Sequence, residues 1–379
     1  RAYGISACGS NYTTDDLTLT INRFSPGSIL SNQTVCEGEI PVPFTSVPAS
    51  GSGVFSYLWL ESSTGMAPWA TAGGTNNTET YSPPLLVADR WYKRQVSSVL
   101  NGITCSSATD SLRISVNNLT NGTVVGDQTI CEESVPATLT GPVPTADGTI
   151  NINWMQSADG TTWVMASGSN SNVNYDPPAL NADMWYKRVV NSMLNGEVCT
   201  VESNVVKITV INFTQGSVAA SQTICEGDVP TPFTSVAPAG DGLFTYQWME
   251  SPNGTGAWVN VASSGNGELY APPALSADTW YKRVVMSTVS GITCSLETNV
   301  LEVTVINFVS GSVSADQTIC EGTAPAPFAS VPPAGDGTIS MLWMESTDGS
   351  TGWVAAAGVN TQEVYQPPVL FADMWYKRV

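Results

Sequence analysis

The cysteines are the residues whose type and spacing most directly suggest chemistry. The chain contains eight, two in each period of about 95 residues: Cys8, Cys36, Cys105, Cys131, Cys199, Cys225, Cys294 and Cys320. An even number at regular spacing in a weakly charged chain indicates disulfide bonds formed in an oxidising compartment. Metal binding by these thiols is not expected, because they form no CxxC pairs and the chain has no histidine.

Two disulfide patterns respect this spacing. One lies within a repeat and joins Cys36 to Cys105, Cys131 to Cys199 and Cys225 to Cys294. The other bridges each junction and joins Cys8 to Cys36, Cys105 to Cys131, Cys199 to Cys225 and Cys294 to Cys320. We favour the first, because the second requires the chain to double back where strings of sandwich domains have an extended linker. The sequence leaves both patterns open.

Carboxylates also recur at two fixed places. A glutamate follows the first cysteine of each repeat, and an aspartate precedes each WYKR motif: Glu37, Glu132, Glu226 and Glu321; Asp89, Asp183, Asp278 and Asp373. A site copied four times without histidine or a partner at fixed spacing is a poor candidate for catalysis, so no enzyme is expected. We expect the aspartates to cap turns and the glutamates to lie in solvated turns or beside a Lys-Arg pair.

Calcium is the one cofactor that the acidic composition raises, because acidic extracellular repeats often bind it at their junctions. No D-x-[DN]-x-[DN]-G loop occurs in the chain. The Asp-Gly pairs at Asp147, Asp241 and Asp336 are explained as tight turns, in which glycine supplies the positive φ. The prediction is therefore that the protein has no cofactor.

Basic and aromatic residues recur together. The pairs Lys93-Arg94, Lys187-Arg188, Lys282-Arg283 and Lys377-Arg378 hold eight of the thirteen basic residues. Because neighbouring strand residues face opposite ways, one of each pair is expected to lie over an aromatic face as a cation–π contact. Trp69, Trp163, Trp258 and Trp353 lie in Gly/Ser/Thr-rich surroundings. They raise sugar binding as a hypothesis, although we prefer the interpretation that they cover the edge of a sandwich.

The elements that must position these residues are strands. TVCEG at Cys36 returns as TICEE at Cys131 and as TICEG at Cys225 and Cys320, and all twelve tryptophans follow the same period. Apolar residues alternate in segments such as Phe55, Tyr57 and Trp59, turn signals are frequent, and helical periodicity is missing. The pattern predicts an all-β fold of tandem Ig-like sandwiches of about 95 residues, forming a rod or filament.

The repeats predict five segments. Residues 1–24 are interpreted as the C-terminal strand segment of a preceding or neighbouring repeat; Ig-like repeats follow over 25–117, 118–211, 212–306 and 307–379, the last without its final strand. Asp183 and Tyr186 echo the Ig pattern. Where Ig domains have a cysteine two residues after that tyrosine, this chain has Arg188, so the disulfide across the Ig sandwich cannot form.

The motif series also resembles a known class of repeat. QTICEG, TYQWMES, YAPPALSADTWYKRVV, GITC and NVLEVTV, in this order, are similar to the PKD-like or Ig-like repeats of very long surface proteins of Bacteroidota. The resemblance covers essentially the whole chain, four times over. It implies export by the type IX system and a role as a giant adhesin or fibre, linked to gliding or attachment.

The two ends of the chain complement each other. Residues 1–24 match the tail that follows WYKR in the other repeats, and the last repeat lacks that tail. Either the sequence is a window of a longer repeat polypeptide, or residues Leu17, Leu19 and Ile21 form an interchain strand that completes the last repeat of a neighbouring copy. In the second case a bond between Cys320 and Cys8 is expected to link successive copies.

The composition argues against two classes of function, nucleic-acid binding and membrane insertion. The net charge of −19 does not suit binding to nucleic acid, and no apolar run is long enough for membrane insertion. We expect a secreted, cell-surface structural or adhesive protein that forms a stalk, fibre or filament. Its expected partners are copies of itself or flanking repeats, with surface glycans as a further option. The alternative is a carbohydrate-binding repeat array attached to a secreted enzyme.

Overall fold

The computed structural model of the protein describes residues 3–5, 11–13 and 16–379. Every regular element in the described residues is a β-strand, as the period-two pattern predicts. None of these residues belongs to a helix that could span a bilayer. The chain divides into two compact units, one of residues 1–128 and 133–209, the other of residues 129–132 and 210–379.

The first repeat shows the strands from which each repeat is built. We name those of its large sheet the cysteine strand (Gln33–Cys36), the tryptophan strand (Val54–Ser62), the edge strand (Ala70–Thr71), the central strand (Arg90–Leu100), the hairpin strand (Ile103–Ala108) and the closing strand (Leu112–Asn117). The sheet order is cysteine, closing, central, tryptophan, edge, and the hairpin strand also pairs with the central strand. The cysteine strand is parallel to the closing strand, and the other pairings are antiparallel.

Short strand pairs accompany the large sheet. In the first repeat Phe24–Ser25 pairs with Ser50–Gly51, and Ser28–Leu30 pairs with Thr45–Val47. Before it, Tyr3–Ile5 pairs with Asn11–Thr13.

The second and third repeats have the same large sheet. In the second repeat the strands are Leu119–Thr120, Gln128–Cys131, Thr145–Ala146, Thr149–Ser157, Val164–Met165, Met184–Leu194, Glu197–Glu202 and Val206–Ile211. In the third they are Phe213–Thr214, Ser217–Ala219, Gln222–Cys225, Thr234–Val236, Ala239–Gly240, Leu243–Ser251, Val259–Asn260, Thr279–Val289, Ile292–Glu297 and Leu301–Ile306.

The fourth repeat, as far as Val379, has fewer strands. They are Phe308–Val309, Ser312–Ser314, Ala329–Val331, Ala334–Gly335, Trp343–Ser346, Val354–Ala355 and Trp375–Arg378. Its tryptophan strand has four residues where the other repeats have nine, and its central strand four where they have eleven. Within the described residues it has neither a hairpin strand nor a closing strand.

A tight turn joins each central strand to its hairpin strand. Asn101 and Gly102 both have positive φ, at 49° and 79°, and Asn195 and Gly196 repeat this at 50° and 89°. Two successive positive φ values belong to the type I′ turn, whose twist matches that of the two strands and which Asn-Gly favours. The local sequence therefore fixes the register that places the second cysteine of each repeat.

Aromatic rings form the core of each repeat. Trp59 is fully buried, its ring centroid lies 5.6 Å from that of Phe44 and 5.3 Å from that of Tyr81, and its indole N–H donates to the Thr78 carbonyl at 2.9 Å. The equivalent Trp154, Trp248 and Trp343 are also fully buried. Phe55 and Tyr57, on the same predicted face as Trp59, are only partly buried, because they lie towards the end of the strand beyond the aromatic cluster.

Candidate functional site: the junction between repeats

Two disulfide bonds join neighbouring repeats. Cys36 bonds to Cys199 with Cα atoms 5.5 Å apart, and Cys131 bonds to Cys294 with Cα atoms 5.6 Å apart. Each bond links the cysteine strand of one repeat to the hairpin strand of the next, across the same sequence separation of 163 residues. Both patterns expected from the sequence are therefore wrong for these four cysteines.

Strand register explains why the pairing skips to the next repeat. The cysteine strand runs parallel to the closing strand, so Cys36 lies opposite Asn117, where the chain leaves the repeat. Cys199 lies opposite Ser192 at the far end of the next central strand. The Asn117 side chain joins the two places, because its amide donates to the Ser192 carbonyl at 3.0 Å and its Oδ1 accepts from the Ser192 hydroxyl at 2.7 Å.

The same register separates the cysteines within one repeat. Cys105 lies opposite Ser98, whereas the closing strand beside Cys36 pairs with the central strand at Arg90 to Tyr92. Eight residues of central strand between Arg90 and Ser98 correspond to roughly 26 Å. A disulfide needs Cα atoms no more than about 7 Å apart, so Cys36 cannot reach Cys105.

Apolar packing surrounds the first of these bonds. Buried Leu119, Val190 and Cys199 form one cluster, and the partly buried Cys36, Ala146 and Ile152 pack against it. Asn195 adds a hydrogen bond from its amide to the Thr34 hydroxyl at 3.2 Å. The junction between the first and second repeats is thus a small core of its own, closed by a covalent bond.

The other described cysteines have no disulfide partner. Cys105 is partly buried, and Cys225 and Cys320 are exposed. Cys8 lies outside the described residues. The disulfide hypothesis for these four positions stays a prediction.

A buried arginine crosses each of the three complete sandwiches, which the sequence did not predict. Arg94, Arg188 and Arg283 are fully buried. The Arg94 guanidinium donates to three backbone carbonyls, those of Glu79, Pro26 and Val47, each at 2.8 Å. Burial lowers the pKa of these arginines from its ordinary value. The sequence did contain a clue to this buried arginine, because Arg188 occupies the position of the Ig cysteine. A sandwich without that disulfide needs another link between its layers.

The lysine of each Lys-Arg pair lies over the second tryptophan of its repeat, whereas the sequence predicted only that one residue of each pair lies over an aromatic face. The ammonium of Lys93 is 4.2 Å from the Trp69 ring centroid, and the equivalent distances are 4.6 Å at Trp163, 4.5 Å at Trp258 and 4.2 Å at Trp353. All four tryptophans are partly buried. A cation over the ring occupies the face on which a sugar would stack, so this geometry does not favour the carbohydrate hypothesis.

The repeated carboxylates have structural partners. Asp89 and Asp278 accept backbone N–H groups of the closing strand, from Val116 at 2.8 Å and Val305 at 2.7 Å. They anchor a strand and do not cap a turn, which corrects the sequence interpretation. The glutamates that follow the first cysteine of each repeat are exposed in turns, as expected: Glu37, Glu132, Glu226 and Glu321.

The aspartates of the Asp-Gly pairs also accept backbone N–H groups. They accept the backbone N–H of the asparagine that begins each repeat, at 3.1, 2.9 and 3.0 Å, in the pairs Asp147 with Asn118, Asp241 with Asn212 and Asp336 with Asn307. These bonds tie each turn to the first strand of its repeat. Among the described residues, no group of three or more cysteine, aspartate or glutamate side chains could hold a metal ion.

A polar groove lies beside the first junction. Its volume is about 530 Å³, and its walls are Asn32, Gln33, Thr34, Arg113, Ser115, Asn195, Gly196 and Glu197. None of these lining residues is a fully buried charged group that would fix a ligand. The side chains of the predicted interchain strand lie elsewhere and are exposed, by 100% at Leu17, 89% at Leu19 and 58% at Ile21.

The chain belongs to the family described as a domain of unknown function, DUF8696. The family model matches four times, over residues 25–118, 120–212, 214–307 and 309–379. No curated protein matches the chain. The fold class is tandem Ig-like β-sandwich repeats.

Solved structures of several multidomain proteins resemble the chain at low identity. Three N-terminal domains of the highly immunogenic outer capsid protein of bacteriophage RB49 share 14% identity, with 75% of this chain and 99% of that chain covered and a TM-score of 0.33. The titin I-band fragment I67-I69 shares 12%, with 76% and 99% covered and a TM-score of 0.42. The four N-terminal Ig domains of Dscam1 isoform 6.9 share 15%, with 90% and 91% covered and a TM-score of 0.21.

Proposed function

We propose that this protein is an extracellular structural repeat protein that resists extension when it is pulled. The observation that carries the proposal is the pair of overlapping disulfides, Cys36 to Cys199 and Cys131 to Cys294. A disulfide that only stabilises a sandwich can lie within it. These bonds instead span neighbouring repeats, and each has one cysteine inside the loop that the other closes.

The overlap shortens the covalent path through the molecule. Without the bonds, the backbone from Cys36 to Cys294 has roughly 260 residues and extends to roughly 900 Å at about 3.5 Å per residue. With both bonds formed, the shortest covalent path follows the backbone only between Cys131 and Cys199. That stretch has roughly 70 residues, so complete unfolding lengthens this part of the molecule to only roughly 240 Å.

Because the two bonds overlap, either bond alone still limits the extended length of the molecule. If either bond is absent, the other still bypasses 163 residues. The remaining path has roughly 95 residues and extends to roughly 330 Å. Loss of one bond therefore adds only roughly 90 Å of the roughly 660 Å that loss of both would release, a property suited to a filament exposed to repeated pulling.

The finer functional expectations belong to the same proposal. We propose a secreted surface stalk, fibre or adhesin of Bacteroidota, exported by the type IX system, with flanking repeats or other copies as partners. The motif series QTICEG to NVLEVTV supports it, as do the disulfides, which require an oxidising compartment. The low content of charged residues, 12%, limits salt-dependent adhesion to nucleic acid or anionic membranes.

Single-molecule stretching tests the proposal. The full chain would be pulled from its two ends, with Cys8, Cys105, Cys225 and Cys320 changed to Ser so that only the two observed bonds can form. We expect the fully extended length of the oxidised protein to be roughly 660 Å shorter than that of the reduced protein. A variant that also carries Cys36→Ser and Cys199→Ser should extend only roughly 100 Å further than the oxidised protein.

Removal of both bonds should give the same extended length as reduction. The effects of the two bonds on extended length are therefore strongly non-additive, because removal of one bond alone changes the length only slightly. Equal and additive increments of extended length from the two bonds would contradict the overlapping arrangement. Equal lengths with and without reductant would contradict the proposal itself.

A further inference from the structure

The two disulfides do not join the cysteines that are nearest in the chain. Cys36 is bonded to Cys199 across 163 residues, although Cys105 and Cys131 lie between them in the sequence. In an unfolded chain, two residues meet less often as the loop between them grows, roughly as its length to the power −3/2. Cys36 therefore meets Cys105, roughly 70 residues away, about four times as often as it meets Cys199. Oxidation of the unfolded chain favours bonds other than the two observed.

A folded repeat reverses this preference, because it holds its own two cysteines far apart. In the third repeat Cys225 lies opposite Ile306 of the closing strand, and Cys294 lies opposite Ser287 of the central strand. The closing and central strands pair with each other at Thr279 to Tyr281, so at least about 20 Å of central strand separates the two cysteines. As in the first repeat, the two thiols cannot meet once the repeat has folded.

The core of a repeat and its bonded cysteines are separate. The buried clusters of the first and third repeats are built from aromatic and aliphatic side chains around Trp59 and Trp248, whereas Cys36 and Cys199 belong to the cluster at the junction. The buried Arg94 already links the layers of its sandwich by hydrogen bonds to three backbone carbonyls. A repeat of about 95 residues also has the usual size of a domain that folds on its own. The reduced chain therefore contains what each repeat needs to fold.

Non-covalent contacts bring the two thiols of the first bond together. Asn117 and Ser192 are buried and are joined by two hydrogen bonds, of 3.0 and 2.7 Å, at the junction between the first and second repeats. Leu119 and Cys199 belong to the same apolar cluster, against which Cys36 packs. The Cα atoms of the two cysteines are 5.5 Å apart in this docked junction, within the range that a disulfide needs. Docking of folded repeats therefore selects the partner of Cys36.

We propose that the repeats fold and dock while their cysteines are reduced, and that a thiol oxidant then closes the two bonds without a disulfide isomerase. The inference goes beyond the proposed function, because it concerns the reaction that makes the bonds. A small-molecule disulfide such as oxidised glutathione is a sufficient oxidant. Its S–S bond breaks as the protein S–S bond forms, and it takes up the two electrons and two protons of the two Cys–SH groups and leaves as two thiols.

Oxidation in two orders tests the inference. Reduced full-length protein at low concentration would be treated with oxidised glutathione, either folded in buffer or unfolded in concentrated urea. The remaining thiols would be blocked, and the protein would be digested without reduction to identify the bonded peptides. In the folded protein we expect nearly every Cys36 to be bonded to Cys199, although no isomerase is present. In urea we expect about four times as much Cys36–Cys105 as Cys36–Cys199.

The fold of the reduced protein is measured before oxidation. Its circular dichroism should show the same β-sheet signal as that of the oxidised protein. A reduced protein without this signal would overturn the inference, and so would a folded protein in which Cys36 bonds mainly to Cys105 or Cys131. The same set of bonds from both orders of oxidation would also overturn it, because the pairing would then not depend on the fold.

Matched variants test whether the first repeat controls the pairing of Cys36. Trp59→Ala/Tyr92→Ala removes two fully buried rings from the core of that repeat and should unfold it. When this variant is oxidised in buffer, we expect at least about 10 times as much Cys36–Cys105 as in the unaltered protein. Trp69→Ala removes one partly buried ring of the same repeat and should leave the pairing unchanged. Equal pairing in the two variants would contradict the inference.

The docking contact at the first junction has a test with an internal control. Asn117→Ala removes the two hydrogen bonds to Ser192. It should slow formation of the Cys36–Cys199 bond about 10-fold, because fewer molecules are docked at any moment. Formation of the other bond in the same molecules should be unchanged, and an unchanged rate for both bonds would contradict the docking step. Failure of the inference leaves the proposed function standing, since stretching is measured on molecules whose two bonds have already formed.

Discussion

At the residue scale, the buried arginines replace the covalent link of an Ig sandwich by hydrogen bonds. Arg188 stands where Ig domains have a cysteine, is fully buried, and donates to the carbonyls of Val173 and Pro142 and to Asn121. A guanidinium suits this place because its planar group of five donors satisfies several carbonyls at once. Because the group is fully buried, water cannot replace these contacts when they are lost.

Arg188→Met is expected to destabilise the second repeat by roughly 3 to 5 kcal/mol, since it leaves buried carbonyl groups without donors. Lys187→Met is the matched control at the neighbouring position. It removes an ion pair with a half-exposed Glu202 and a cation–π contact, which together are worth only about 1 kcal/mol. Hydrogen-exchange mass spectrometry of Met184–Leu194 in each variant would measure the difference, and equal loss of protection in the two would contradict it.

At the element scale, strand formation depends on a partner more than on local sequence. Gln222–Cys225 and residues 317–320 have the same sequence, QTIC. The first is a strand because it pairs in parallel with the closing strand of its repeat. The second is not a strand in the fourth repeat, where no closing strand lies beside it within the described residues. Four residues cannot bury enough surface alone to offset the entropy of ordering them.

The amides of residues 317–320 are therefore expected to exchange with solvent much faster than those of Gln222–Cys225. Because the two segments are identical in sequence, their intrinsic exchange rates match at every amide after the first. Hydrogen-exchange mass spectrometry would compare the protection of the two segments. Equal protection of the two segments would show that the strand forms without its partner.

At the scale of the whole molecule, the tyrosines of all four cores respond to alkaline pH together. Burial, helped by the nearby Glu61, raises the pKa of Tyr81 to about 12, and burial with nearby Tyr365 and Glu345 raises the pKa of Tyr376 to about 12. Burial also raises the pKa of the core tyrosines of the second and third repeats, Tyr175, Tyr186 and Tyr281. In each case the folded pKa lies above the unfolded value of 10.0.

A raised tyrosine pKa stabilises the fold fully below pH 10 and progressively less as the pH rises towards about 12. We therefore expect the protein to keep its β-structure up to about pH 10 and to unfold cooperatively above it, with the core tyrosines ionising as it unfolds. Circular dichroism and tyrosinate absorbance, followed in one titration, would check this. Complete ionisation near pH 10 with the β-sheet signal unchanged would contradict it.

Much of the architecture could be predicted from the sequence because it depends on local patterns. Alternating apolar residues, Asn-Gly turns and a strict period specify strands, hairpins and repeats, and strand alternation predicts that one residue of each Lys-Arg pair lies over an aromatic ring. The pairing of cysteines could not be predicted in this way. It depends on the parallel register between the cysteine strand and the closing strand, which places Cys36 opposite Asn117 at the far end of its repeat.

The sequence by itself thus determined the all-β fold, the repeat length and the positions of the cysteines, since these follow from short-range periodicity. Only the tertiary structure decided that Cys36 bonds to Cys199, that Arg94 is buried, and that Leu17, Leu19 and Ile21 stay exposed. The physical reason is the same in each case, because each outcome is set by which strand lies beside which. Such neighbours are distant in the chain: Arg94 and Pro26 are 68 residues apart, and Cys36 and Cys199 are 163 residues apart.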